Sequence, residues 1–267
     1  RSVSRGLGDV YKRQQSIKKN ALESVAFYNK NMQKAIKERK FVESHMKKAL
    51  ENNEFIIYLQ PKFSISSGEA IGYEALVRWQ SPECGMIYPD SFIPLFEENG
   101  FITKLDAYVW ECACMVLRDW IDRHFTPLPI SVNVSRANLD DESFLDVLDG
   151  LIDKYRLPKH LLELEITESI ENDETLRMTE KIKEHGFTLL MDDFGSGYSS
   201  LNTLQDTRFD VLKLDREFFS THMSNERGKK IIMHTISMSK DVGLGLIAEG
   251  VETCLLYTSP SPRDTER

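Results

Sequence analysis

The chain lacks the features that define several large protein classes. No apolar run approaches the ~18 residues that a membrane-spanning helix requires. No early segment has the apolar core of a secretory signal. Positive charge is not in excess: the formal net charge is -8, which disfavours broad binding to DNA, RNA or anionic membrane. A small anionic substrate remains compatible with this balance where divalent cations sit between it and the protein. The four cysteines, Cys84, Cys112, Cys114 and Cys254, form no paired CxxC pattern. Zinc is therefore not expected, and a reducing, cytoplasmic compartment fits best. The histidines show no HxH or HExxH spacing.

Both ends also lack a hydrophobic period. The first residues, RSVSRGLGDVYKRQ, and the last, CLLYTSPSPRDTER, resemble translated adaptor sequence. We expect residues 1–14 and 254–267 to be non-native tails. Between 15 and 52 the chain is charged and helix-periodic, with Ile17, Leu22, Val25, Met32, Ile36, Val42, Met46 and Leu50 at three- and four-residue spacing. This stretch reads as a helical linker.

From Glu54 onward, β-branched runs alternate with amphipathic stretches. Strands are expected at 55–63, 70–79, 130–135, 161–167, 187–194, 211–215 and 245–251. Helices are expected at Pro89–Glu98, Thr103–Arg123, Phe144–Tyr155, Asn172–Glu184, Gly197–Leu204 and Gly228–Val242. Such alternation predicts an α/β fold around a mainly parallel sheet, open or closed into a barrel. Trp79, Trp110, Met233 and Met238 read as packing residues.

Polar residues recur late in these strands: Glu74, Asn133, Glu165, Glu168, Asp192, Asp193, Lys213, Asp215 and Glu249. A lone acidic residue there is more often a helix cap than a ligand. Repetition over successive strands points instead to a site at one rim of a barrel. Two unit charges ~4 Å apart repel by roughly 4 kcal/mol at an effective dielectric of 20, so clustered carboxylates must take up protons or bind cations. Hard oxygen donors suit Mg²⁺ or Mn²⁺, and Asn133 adds a neutral oxygen. Adjacent Asp192 and Asp193 suit a site holding two ions, which can clamp the attacking and leaving oxygens of a phosphoryl displacement.

Seven ordered blocks make the pattern specific: QPK (60–62), YEALVRW (73–79), SVNVS (131–135), LELEITES (162–169), MDDFGSGYSSL (191–201), LKLD (212–215) and AEGVET (248–253). Together they resemble the EAL family of cyclic di-GMP phosphodiesterases, from about Phe55 to Thr253. The resemblance implies a TIM-type (β/α)8 barrel with one antiparallel strand, and an EAL domain at 53–253. It implies hydrolysis of cyclic di-GMP to linear pGpG with two Mg²⁺ or Mn²⁺ ions. By the same resemblance Glu74, Asn133, Glu165, Asp192 and Asp193 are metal ligands, Glu249 and Lys213 are catalytic, and Gln60, Leu76 and Arg78 contact substrate. Glu168, Phe194, Gly195, Ser196 and Gly197 would couple the site to a homodimer interface. ALESVAFYNKNM resembles the end of a GGDEF domain, so an upstream GGDEF or sensory domain is expected in the full-length protein.

Beyond AEGVET the family's last strand and helix are replaced by the tail, so we expect an incomplete barrel with exposed strand edges. Two other readings compete: a receptor that holds cyclic di-GMP without cutting it, and an enolase-type barrel lyase. Retention of Glu74, Asp192, Asp193 and Lys213 favours the hydrolase over the receptor. The paired aspartates and the Asn133 block argue against the lyase.

Overall fold

The computed structural model describes residues 30–167, 173–194, 208–223 and 225–250. The chain divides into two units, Arg1–Lys48 and Ala49–Arg267. In the first, the described residues belong to helix α1 (Lys30–Glu51), which runs on across the boundary. It carries an Arg39–Glu43 ion pair at 3.0 Å and stacked Phe41 and His45 rings. The expected helix before Lys30 and both expected tails lie outside the described residues.

The second unit is built on a mixed sheet. Its strands are β1 (Phe55–Phe63), β2 (Ala70–Ser81), β3 (Gly85–Ile87), β4 (Ile130–Asn133), β5 (Leu162–Thr167), β6 (Thr188–Phe194), β7 (Val211–Leu214) and β8 (Gly245–Ala248). They are ordered β1-β2-β4-β5-β6-β7-β8, with β3 hung on β2. β1 runs antiparallel to β2, and every later step along the path is parallel. The main helices are α2 (Ile93–Asn99), α3 (Ile102–Asp122), α4 (Arg136–Leu139), α5 (Ser143–Tyr155), α6 (Asp173–Glu184), α7 (Arg216–His222) and α8 (Glu226–Asp241). The sheet curls into a half-barrel of TIM type with its helices. Among the described residues no strand pairs with the outer edge of β1 or of β8.

Three short elements, β3, α4 and α7, are absent from the sequence expectation; the three and four residues of β3 and α4 display too little periodicity. The expected helix Gly197–Leu204 lies outside the described residues.

Period-two alternation explains which face is buried by helices. In β5, Leu162, Leu164 and Ile166 are at most 1% exposed and point outward, while Glu163 and Glu165 point into the half-barrel. Leu189 and Met191 in β6 and Leu212 and Leu214 in β7 repeat the outward apolar set. At the β1–β2 end an aromatic cluster closes the core: Phe55, Trp79, Phe92 and Phe96 are each at most 1% exposed. The Trp79 indole N–H is satisfied by Glu54 at 2.9 Å. Trp79 and Trp110 are packing residues as expected, but Met233 is not. It is 38% exposed and lines the open groove between β1 and α8, where no described element covers it.

The turn after β4 is held from below. Buried Asp106 of α3 accepts the Ser135 N–H at 3.0 Å and the Asn138 side-chain amide at 2.7 Å. Burial lifts its carboxyl to about 6 despite these bonds. Asp106→Ala removes the acceptor of the Ser135 N–H and leaves the Asn138 amide only its longer bond to Ser135 Oγ at 3.2 Å. It should destabilise the chain by about 2 kcal/mol, with a smaller loss in Asp106→Asn, as read by chemical denaturation at pH 7.

Candidate active site

The strand registers bring one row of side chains to a common level. Gln60 pairs with Glu74, Glu74 with Ser131, Ser131 with Glu163, and Asn133 with Glu165. Thr167 pairs with Asp192, and Lys213 with Ile247, two residues before Glu249. Because paired residues share a face, the inner face carries Gln60, Lys62, Glu74, Ser131, Asn133, Glu163, Glu165, Asp192, Lys213 and Glu249, with Leu190, Val211 and Ile247 among them. TIM barrels usually fill that space with branched apolar side chains. Here it is largely charged.

Lys213 is the centre. Its side chain is 1% exposed, and its ammonium contacts four carboxylates: Glu165 at 2.7 Å, Glu249 at 2.7 Å, Asp192 at 3.0 Å and Glu74 at 3.2 Å. Each comes from a different part of the sheet: β5, the residue after β8, β6 and β2. Burial alone would favour the neutral amine. The surrounding carboxylates outweigh it and hold Lys213 firmly protonated.

A second lysine, Lys62 of β1, reaches the same cluster. It donates to Ser131 at 2.7 Å, to Glu165 at 3.1 Å and to Glu163 at 3.4 Å. Glu165, with no side-chain exposure, thus has one oxygen on Lys62 and the other on Lys213. Burial pushes its carboxyl up, but the two ammonium groups together pull it below the ordinary range. The sequence reading gave Lys62, Ser131 and Glu163 no role. The Leu-Glu-Leu-Glu alternation of β5 was the available signal, since it sets Glu163 on the same face as Glu165.

Two local distortions aim the remaining acids. β6 loses register against β7 between Met191 and Phe194, so Asp192 and Asp193 form a bulge opposite Lys213. Asp193 takes a left-handed φ of 57°, uncommon for a residue with a side chain, and its N–H donates to Asp192 Oδ1 at 2.9 Å. After β8 the chain turns at Gly250, φ 63°. A Cβ there would lie 2.6 Å from Arg216 Cγ, so only glycine lets the backbone pass directly behind Glu249.

The structure corrects one expectation. Glu74 is not near a strand end, for it is the fifth of twelve residues in β2. β2 runs on past the barrel level to pair with β1 and β3, and only Tyr73 and Glu74 pair with β4. Glu74 therefore ends the barrel-forming part of the strand. Asn133 ends β4 beside Glu165, and its carbonyl accepts the Trp110 indole N–H at 3.0 Å. Leu76 and Arg78 follow Glu74 on the same face. Phe194 is buried against Phe218. Glu168, Gly195, Ser196 and Gly197 lie outside the described residues.

Glu74, Glu165 and Asp192 each offer a carboxylate oxygen, all within 4.8 Å of one another. Two ammonium groups do not balance the acids of this face. The surplus of hard oxygen donors fits one or more divalent cations.

Residues 43–257 match the family model described as EAL domain. This chain belongs to the EAL domain family. It is 36% identical over 215 residues to the cyclic di-GMP phosphodiesterase NbdA of Pseudomonas aeruginosa, covering 79% of this chain and 28% of that protein. It is 32% identical over 231 residues to the bifunctional diguanylate cyclase/cyclic di-GMP phosphodiesterase MucR of the same organism, covering 85% of this chain and 34% of that protein. This EAL chain therefore spans about a third or less of these relatives. Among solved structures, the PaMucR phosphodiesterase in complex with c-di-GMP superposes with a TM-score of 0.75 at 31% identity, over 81% of this chain and 89% of that one.

The crowded acids make stability depend on pH in a defined direction. Burial, then Glu165, pushes the Glu74 carboxyl up from 4.5 to about 7, and burial raises Glu249 as well. A raised carboxyl means that the folded state holds a proton the unfolded chain has released. Stability from Glu74 is thus fully present below 4.5 and is lost as pH rises through about 7. The metal-free EAL chain should melt at lower temperature at pH 8 than at pH 6. Glu74→Gln should flatten that difference, and added Mg²⁺ should restore part of the loss at pH 8.

Proposed function

We propose that this chain hydrolyses one phosphodiester bond of cyclic di-GMP to give linear pGpG. The observation that carries this reading is the ring of four carboxylates from separate strands closing on buried Lys213. Glu74, Asn133, Glu165, Asp192 and Asp193 would hold two divalent ions, Mg²⁺ or Mn²⁺. Bound there, such ions supply positive charge that polarises the phosphodiester and makes water a stronger acid near neutral pH.

The chain's own residues would do the rest. Glu249, raised by burial, is suited to accept the proton of the attacking water. Lys213 stays charged throughout and stabilises the negative charge that builds on the phosphoryl oxygens. Lys62 holds Glu165 in one orientation from the opposite side. Gln60 and Leu76, which line the groove of about 1450 Å³ beside Glu74, would contact the substrate together with Arg78. Glu168 and the 194–197 segment would link this site to a homodimer interface. We read 15–52 as a linker and 53–253 as the EAL domain. Action is assigned to the cytoplasmic side, below an upstream GGDEF or sensory domain.

The test is turnover of cyclic di-GMP with Mg²⁺ or Mn²⁺, with pGpG identified by chromatography. Chelation should abolish turnover. Glu249→Gln and Lys213→Ala should each lower kcat at least about 100-fold. Tight binding without cleavage would leave the chain a receptor, and neither binding nor cleavage would reject the assignment.

A further inference from the structure

Beyond the acidic cluster, the same rim carries an aromatic group that the proposed reaction does not use. The Arg78 guanidinium carbon lies 5.9 Å from the centre of the Tyr58 ring and 5.8 Å from that of Tyr88. Both distances are within cation–π range. Nη1 of Arg78 donates to the Val77 carbonyl at 2.7 Å, which leaves further donors of the fork available.

The two rings differ from the aromatic core beside them. Tyr58 is 51% and Tyr88 61% exposed, whereas Phe55, Trp79, Phe92 and Phe96 are buried. Packing does not account for them. They are brought together by two separate ladders. Antiparallel β1 sets Tyr58 opposite Leu76, and Ile87 of β3 pairs with Trp79, so Tyr88 follows at the level of Arg78. Alternation along β2 keeps Glu74, Leu76 and Arg78 on one face. Arg78 lies four positions along the strand from Glu74, about 14 Å at ~3.4 Å per residue. That span is comparable to one nucleotide, measured from its phosphate to the far edge of its base.

We propose that Tyr58 and Tyr88, with Arg78 as the cationic wall between them, form a base-stacking subsite for one purine of the cyclic dinucleotide. The inference rests on the function proposed above and adds to it the residues that grip a base. Exposed aromatic rings beside a guanidinium give a purine π-face a partner without fixing its hydrogen bonds. The subsite therefore contributes affinity and leaves the chemical step to the acidic cluster.

The experiment compares the parent chain with Tyr58→Ala, Tyr88→Ala, Tyr58→Phe and Tyr88→Phe. Binding of cyclic di-GMP with Mg²⁺ is measured by calorimetry, and KM and kcat by turnover. Each alanine variant should raise Kd and KM about tenfold, the effect of losing one stacked base. Its kcat should stay within about twofold of the parent, because only ground-state and transition-state binding are lost together. The phenylalanine variants should keep parental Kd and KM. Parental binding in the alanine variants overturns the subsite alone, as does a phenylalanine variant as impaired as its alanine counterpart. If the parent binds without cleaving, the Kd values still decide the subsite. A parent that neither binds nor cleaves overturns the function and the subsite together.

Discussion

A buried ammonium cannot be left without partners, and Lys213 finds its partners on four separate segments of chain. At 1% exposure its charge is tolerable only because Glu165, Glu249, Asp192 and Glu74 all lie within 3.2 Å. The dependence runs in both directions. Without Lys213, the same carboxylates would face each other at short range with little water to screen them. Correct register in β2, β5, β6, β7 and β8 is thus tied to one electrostatic balance. A one-residue slip in any of these strands would turn its charged side chain toward the helices and an apolar one toward the site.

The rest of the half-barrel follows from that division of faces. Apolar side chains of β5, β6 and β7 point outward and are sealed by helices, which supplies the burial that holds the sheet together. The inner face is left to carry charge. Where regular strand geometry would aim a group wrongly, the backbone departs from it. The bulge at Asp192 and Asp193 re-aims two acids, and the turn at Gly250 lets the chain leave immediately behind Glu249. At these two points a left-handed backbone sits beside the groups that would do chemistry.

The rim is divided by chemical character in the same manner. Its lower level gathers hard oxygen donors that suit divalent cations. Its outer level, at the β1–β3 edge, presents two tyrosines and an arginine. A ligand with phosphate at one end and an aromatic base at the other is complementary to both levels. Cyclic dinucleotides, the substrate class proposed above, have that form.

Strand–helix alternation, family membership and the identity of Glu74, Glu165, Asp192, Lys213 and Glu249 were legible from residue order. Apolar periodicity and motif spacing are local properties that survive in a linear string. The short β3 and α4 were not legible, because three or four residues hold too little of a period to recognise, and the seven-residue α7 was missed as well. Nor was Lys62, which reaches Glu165 across 103 positions of sequence. The bulge that opposes two aspartates to one lysine belongs to a pairing between strands, and Tyr58, Arg78 and Tyr88 meet only through two ladders. Residue order determined which acids, lysines and tyrosines the chain possesses and on which face of its own strand each lies. Tertiary structure alone decided which of them share a level. Strand register depends on neighbours far away in the chain, and the energy of a buried charge is set by what surrounds it in space.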